Sequence, residues 1–317
     1  MLKNHALGNR LKQARDLSWQ IFGKRLTFYL PGMFSCDGLK GDYPAISITG
    51  NVCELQCDHC KGALLRDMIP AETPEQLADK AIRLAEEGNQ GILISGGCDR
   101  EGRLPWQRFV PVIKEIKDAT DLFISIHCGL LDEPAARDLK NAGVDQALID
   151  VIADDDLYRQ ICHVDSGVIK IAYTMKSLNK AGISIIPHVV CGIRYGIISS
   201  ELKAIEMISR FNPEQVIIIS LVPMPGTPLW GTAMPEAEQV AFIIAEARLL
   251  MPQVRIGLGC ARRRGDSRLE TLAIDAGVNR MALPSEEAIG HAKDYGLEIR
   301  YQRSCCSVSR DFSKDVW

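Results

Sequence analysis

From about residue 45 onward, short apolar runs rich in Ile and Val alternate with longer stretches whose apolar positions recur every three or four residues. The short runs lie at 45–49, 91–95, 122–127, 146–150, 184–190, 215–220, 255–259 and 279–282. They do not alternate apolar with polar positions, which is the pattern of parallel strands buried on both faces. The periodic stretches between them predict helices at 74–87, 106–119, 133–142, 167–181, 201–211, 235–251, 267–276 and 285–295, with another at 11–22 ahead of the first strand. Gly88, Gly143, Gly182 and Gly277 each stand between a helical stretch and the next strand, where a left-handed residue ends a helix at little cost. This regular succession of strand–helix units fits a (β/α)8 TIM-type barrel better than an open doubly wound sheet. The expected organisation is an N-terminal extension over 1–40, the barrel over 41–297, and a tail over 298–317 with its own pair of cysteines.

Composition narrows the partners. Among 317 residues, 37 Lys and Arg against 40 Asp and Glu leave a net charge of −3 without any basic run, so the general footprint of a nucleic-acid binder is missing. Apolar residues at 46% suffice for one large core and exclude a disordered or fibrous chain. The N-terminus is charged and amphipathic, unlike a secretory signal, and the longest apolar run, 216–222, is far below membrane-spanning length. A cytoplasmic location is therefore expected, with no membrane partner. In that reducing compartment eleven cysteines argue for metal ligation or buried thiols rather than a disulfide framework.

The densest chemistry follows the first strand of the repeat. Cys53, Cys57 and Cys60 form a C-x3-C-x2-C loop where a barrel carries its active-site loops. Three thiolates on one short loop suit three irons of a [4Fe–4S] cubane. Having three ligands rather than four leaves one iron open to a substrate, as catalytic zinc sites keep one position open. A zinc site completed by a distant residue is the simpler alternative. His127 and His188, on the third and fifth strands, read either as substrate contacts or as satisfied structural histidines. Cys128, Cys162 and Cys191 read as buried thiols. The aspartates at 154–156, with His163, read as a solvated loop.

The cysteine loop in this position resembles the motif of the radical S-adenosylmethionine (radical SAM) superfamily, and the likeness runs through most of the chain. It implies a [4Fe–4S] cluster on Cys53, Cys57 and Cys60, with S-adenosylmethionine chelating the fourth iron. One electron from a low-potential donor then cleaves the sulfonium to a 5′-deoxyadenosyl radical. His59 takes the place of the aromatic residue whose backbone contacts the adenine. Gly96 and Gly97 match the glycines that let the backbone approach the methionine amino group, with Cys98 where the family has an acid. Asp150 is placed for the ribose hydroxyls, a helix cap being the alternative, and Gly192 for the adenine-contacting turn.

Segments 221–229 and 254–260 resemble biotin synthase, but Ile94, Ser125 and Ile186 stand where that enzyme has strand cysteines, so its sulfur-donating cluster is not expected. An auxiliary [4Fe–4S] cluster is expected instead on Cys98, Cys260, Cys305 and Cys306, with Cys36 as a substitute ligand and the tail folded over the barrel mouth. The ending Arg303-Ser304-Cys305-Cys306-Ser307 is similar to that of lipoyl synthase. The whole chain is similar to archaeal biotin-synthase-related proteins, some of which act in pairs as a split lipoyl synthase. The resemblance implies a sulfurtransferase acting on an octanoyl chain held by a carrier protein or lipoyl-domain peptide, beside a sister radical SAM subunit. The alternatives are a biotin-synthase-like, C–C bond-forming or methylating enzyme with one cluster, or a non-catalytic iron–sulfur electron-transfer protein.

Overall fold

The computed structural model of the chain describes residues 4–36 and 38–317, without the side chains of Asn4 and Cys36. Helix α1 (Asn4–Phe22) leads into β1 (Arg25–Tyr29), and a separate short hairpin follows, β2 (Ser35–Cys36) with β3 (Leu39–Lys40). The Ile- and Val-rich runs then form β4 (Ala45–Ser47), β6 (Gly91–Ser95), β7 (Phe123–His127), β8 (Gln146–Asp150), β9 (Ser184–Cys191), β10 (Gln215–Ser220), β11 (Arg255–Leu258) and β12 (Arg280–Ala282), with β5 (Ile69–Pro70) inserted after β4. The last strand is β13 (Glu298–Gln302). The connecting helices are α2 (Pro74–Glu86), α3 (Trp106–Ala119), α4 (Glu133–Asn141), α5 (Asp155–Cys162), α6 (Gly167–Ala181), α7 (Glu201–Ser209), α8 (Ala237–Leu250), α9 (Ser267–Asp275) and α10 (Glu286–Asp294).

All eight runs of the repeat form strands, and the sheet they join is parallel throughout, in the order β13-β1-β12-β11-β10-β9-β8-β7-β6-β4-β5. Neighbouring side chains of one strand point to opposite faces. In β10, Val216 and Ile218 join the large core under the helices, while Ile217 packs with Leu148 and Ile186 on the other face. This two-sided burial is why the runs are apolar without alternation. Thr73, Asp132, Asp154, Asp266 and Ser285 each accept a hydrogen bond from a backbone N–H in the first turn of the helix they precede. Among the described residues no helix is long and apolar enough to cross a membrane.

Three features differ from the sequence expectation. First, the sheet has eleven strands and is open, because β1 and β13 pair along their whole lengths at one edge. The sheet therefore runs across the expected boundaries at 40 and 298. The gap beside β13 is bridged where Arg303 meets Asp42, backbone to backbone and guanidinium to carboxylate at 2.6 Å. Second, the aspartates at 154–156 start a helix: Asp154 caps α5, and Leu157, Tyr158, Ile161 and Cys162 form its buried face. Third, the tail does not fold over the mouth. Beyond β13 it turns into the barrel, burying Ser304, Cys306, Ser307 and Val308. Polar side chains at the N-terminal ends of the strands hold it there. Gln146 at the start of β8 donates to Ser307 O at 2.9 Å and accepts from Ser309 N–H at 3.0 Å. Arg280 at the start of β12 donates to Ser309 O at 2.9 Å and also reaches Val308 O and Gln215.

Candidate active site

Loop 50–62 leaves β4 at the C-terminal end of the sheet and is fastened to the end of β6. Thr49 Oγ1 accepts from Gly97 N–H at 2.6 Å and donates to Val52 O at 2.9 Å. The carbonyl of Cys98 accepts from Glu54 N–H at 2.9 Å and from Leu55 N–H at 3.2 Å. Gly97 has a steric requirement here: a Cβ would stand 2.0 Å from Val52 O and 2.5 Å from Cys53 Cα. Within the loop, Cys60 N–H and Lys61 N–H donate to Cys57 O at 3.1 and 2.8 Å, winding the chain into a tight turn. Cys53, Cys57 and Cys60 thereby line one wall of a cavity of about 240 Å³, whose other walls include Gly96, Gly97, Cys98, His127 and Asp150. Burial pushes the Cys60 thiol up to about 12, a proton that metal binding would displace.

Asp150 does not cap a helix, since Asp154 does; its carboxylate faces the cavity, 3.7 Å from His127 Nε2. Burial pushes the Asp150 pKa upward, but the nearby charge of His127 wins and holds it below the usual carboxylate range. His127 is raised by the same pairing, against its own burial. His188 serves the structure: its Nε2 lies 2.8 Å from Ser307 Oγ, and burial lowers its pKa to about 4, so it is neutral near pH 7. His59 lines the cavity with a buried Nδ1 that has no partner among the described residues, and burial lowers its pKa too. Gly192 stands just behind the cavity wall, which its neighbour Ile193 reaches. Its left-handed turn (φ 78°) is held by a residue the sequence reading did not single out, Glu201, whose buried carboxylate accepts from Gly192 N–H at 2.8 Å and Ser199 N–H at 2.6 Å. Cys162, buried as the sequence reading expects, also lines the cavity.

The other cysteines divide. Cys260, Cys305 and Cys306 pack together with Tyr29 and Ala282, at the ends of β1, β11 and β12. The Cys306 thiol packs beside Cys260 and Cys305, and its proximity lowers Cys305 to about 7 while Cys306 is raised. Arg264, stacked on Phe34 at 4.6 Å, and Arg262 add positive charge beside Cys260. Among the described residues, none gives the Tyr29 hydroxyl, buried in this group, a hydrogen-bond partner. Cys98 is not with them. It sits among Cys53, Cys57 and Cys128, because β6 ends beside the cysteine loop. The expected four-cysteine set thus reduces to three. The Cys36 thiol lies outside the described residues.

All ten described cysteines are free thiols. Among the described residues, no three His, Cys, Asp or Glu side chains converge on one point as a single ion requires. Cys53, Cys57 and Cys60 instead spread over a cavity wall, and this soft, three-thiol set suits a cluster with an open iron. Beside it, the glycine edge of β6, the unpartnered His59 nitrogen and the ionised Asp150 offer polar contacts to a small charged ligand.

Residues 47–211 match the family model of the radical SAM superfamily, and 218–315 match that of the biotin and thiamin synthesis associated domain. The biotin synthase of Leptothrix cholodnii is 26% identical over 243 residues, covering 74% of this chain and 69% of that protein. That of Halorhodospira halophila is 26% identical over 251 residues, covering 75% and 74%. Among solved structures, methylornithine synthase superposes with a TM-score of 0.65 at 20% identity, over 99% of this chain and 85% of that one. A maturase of the [FeFe]-hydrogenase from Carboxydothermus hydrogenoformans gives 0.67 at 16%, over 94% and 73%. The chain therefore belongs to the radical SAM superfamily as a relative of biotin synthases, and that membership implies the [4Fe–4S] cluster and S-adenosylmethionine that its three-thiol cavity fits.

Proposed function

We propose that the chain is a radical SAM sulfurtransferase, one component of a lipoyl synthase that inserts sulfur into an octanoyl group on a carrier-protein lysine. The observation that carries the reading is the group of buried Cys306 with the partly buried Cys260 and Cys305, assembled only because the tail enters the barrel. Its donor chemistry fits a second cluster: three soft thiols, one already lowered to about 7, with Arg264 nearby to balance negative charge. When bound, the two clusters and S-adenosylmethionine supply reductive sulfonium cleavage, hydrogen-atom abstraction and sulfide. The chain's own work is to hold and exclude. Cys53, Cys57 and Cys60 would ligate three irons; Asp150, kept ionised by His127, accepts hydrogen bonds from hydroxyl groups; and Leu65, Leu130 and Ile152 keep water from the cavity. Ile149, Val190 and Ile193, which line the cavity, suit an alkyl chain better than a polar substrate.

The test uses anaerobically reconstituted protein with S-adenosylmethionine, dithionite and an octanoyl-lysine peptide, with and without a sister subunit, read by mass spectrometry. Addition of sulfur is expected. Iron should reach about eight atoms per chain and fall to about four when Cys305 and Cys306 are both changed to Ala. About four irons in the unmutated protein would sink the second cluster, and a methylated or carbon-coupled product would favour a one-cluster enzyme.

A further inference from the structure

Loops 192–200, 221–235 and 259–265 leave the C-terminal ends of β9, β10 and β11, three neighbouring strands, and form one side of the barrel mouth. They touch one another. A Cβ on Gly196 would stand 1.9 Å from Ala233 O, and Ala261 O accepts from Ser220 N–H at 2.9 Å. The middle loop is stiffened by Pro223, Pro225, Pro228 and Pro235, and by a hydrogen bond from Trp230 N–H to Thr227 O at 3.0 Å. It buries Leu221 and Leu229 yet turns Val222 and Trp230 outward, the indole 59% exposed. On the adjoining loop Tyr195 and Ile197 are exposed as well. The charged residues of the three loops are Arg194, Arg262, Arg263 and Arg264, without an acid. Asp154 pairs with Arg194 and Glu270 with Arg262, each at 2.7 Å. Arg263 is exposed and enters no ion pair among the described residues.

We infer that this side of the mouth is the docking surface for the carrier of the substrate, a small folded domain with acidic side chains around its modified lysine. The inference rests on the proposed octanoyl-lysine substrate. The tail fills the opposite end of the barrel, where Gln146, Gln215 and Arg280 hold it. A protein-bound alkyl chain therefore reaches the lumen from the mouth, and its carrier rests on the rim. An exposed Trp on a proline-stiffened turn loses little conformational freedom when a partner covers it, and such side chains are the usual anchors of an interface. The uncompensated charge of Arg263 beside it selects an acidic partner and speeds its approach. A permanent occupant, a second copy or a sister subunit, would close the mouth to substrate, whereas a carrier leaves after each turnover.

The test compares anaerobically reconstituted wild type, Trp230→Ala and Arg263→Glu with two probes, an octanoylated lipoyl domain of net negative charge and an octanoyl-lysine tripeptide. Affinity for the domain is measured by biolayer interferometry, and sulfur insertion into each probe by mass spectrometry. Each substitution is expected to weaken domain binding by about tenfold, while iron content and turnover of the tripeptide stay at the wild-type level. Wild-type affinity for the domain should fall with rising salt, and a domain with its acids changed to lysines should recover binding to Arg263→Glu. Domain affinity that is unmeasurable in wild type, or equal in all three proteins, overturns the inference. So does a change in oligomeric mass, or loss of a sister subunit, in the variants with domain binding intact, which would give the rim to that occupant. Turnover of neither probe by wild type overturns instead the reading on which the inference rests, so the two failures are told apart.

Discussion

The loop carrying Cys53, Cys57 and Cys60 and the group of Cys260, Cys305 and Cys306 both bury thiols around one sheet, yet the chain assembles them by opposite means. The first is local: one short loop wound on its own backbone and pinned to the end of β6. The second joins residues from distant parts of the sequence. Its geometry depends on a tail held at the far end of the barrel by Gln146, Gln215 and Arg280. The local group needs a close steric fit, a glycine where a Cβ would strike backbone. The distant group needs buried polar partners, each costly to leave unmatched.

The comparison can be broken at several points. Changing Cys53, Cys57 or Cys60 to Ala should remove the iron of one cluster and bring S-adenosylmethionine cleavage to background, measured as 5′-deoxyadenosine; Cys98→Ala should keep the full iron content. Arg280→Leu leaves Gln215 and two tail carbonyls without a donor. It should cost about 2–3 kcal/mol in urea unfolding and expose the tail to limited proteolysis, while the first cluster still assembles. Gly97→Ala should do the reverse, displacing loop 53–60 at a cost of roughly 1–3 kcal/mol with the tail still protected.

A pH titration separates the regions more gently. Burial holds folded His188 neutral down to about pH 4, whereas an unfolded histidine binds its proton near 6.5. Between those values the unfolded chain holds more protons, so stability should fall as pH drops from about 6.5 toward 4, by on the order of 2 kcal/mol. His188→Gln, which can still hydrogen-bond Ser307, should flatten that limb. His127, raised by Asp150, acts in the opposite sense: its contribution is present below the unfolded value and is lost as pH rises through its folded one. The smallest effect is expected for Arg303→Ala, whose part-exposed pair with Asp42 bridges the open edge. There the unfolding free energy should change by less than about 1 kcal/mol, and a larger loss would show that closure at this edge carries the tail.

The residues readable from the sequence were those whose partners lie nearby along the chain. The C-x3-C-x2-C spacing, the glycines at the end of β6 and the apolar strands announce themselves over a few positions. Asp150 was legible as a site residue, but the helix-cap alternative needed the discovery that Asp154 takes that role. Glu201 escaped notice because its function is to satisfy backbone N–H groups across a turn, which leaves no spacing signature. Tyr29 escaped for a related reason: a lone phenol acquires meaning only from what faces it.

Sequence alone determined the succession of parallel strands and the cysteine loop, since hydrophobic period and local ligand spacing are properties of contiguous residues. Only the tertiary structure decided that β1 and β13 join the sheet, that Cys98 belongs with the first thiols, and that the tail fills the barrel. Those outcomes depend on which buried donors and acceptors, far apart in the chain, satisfy one another once water has left.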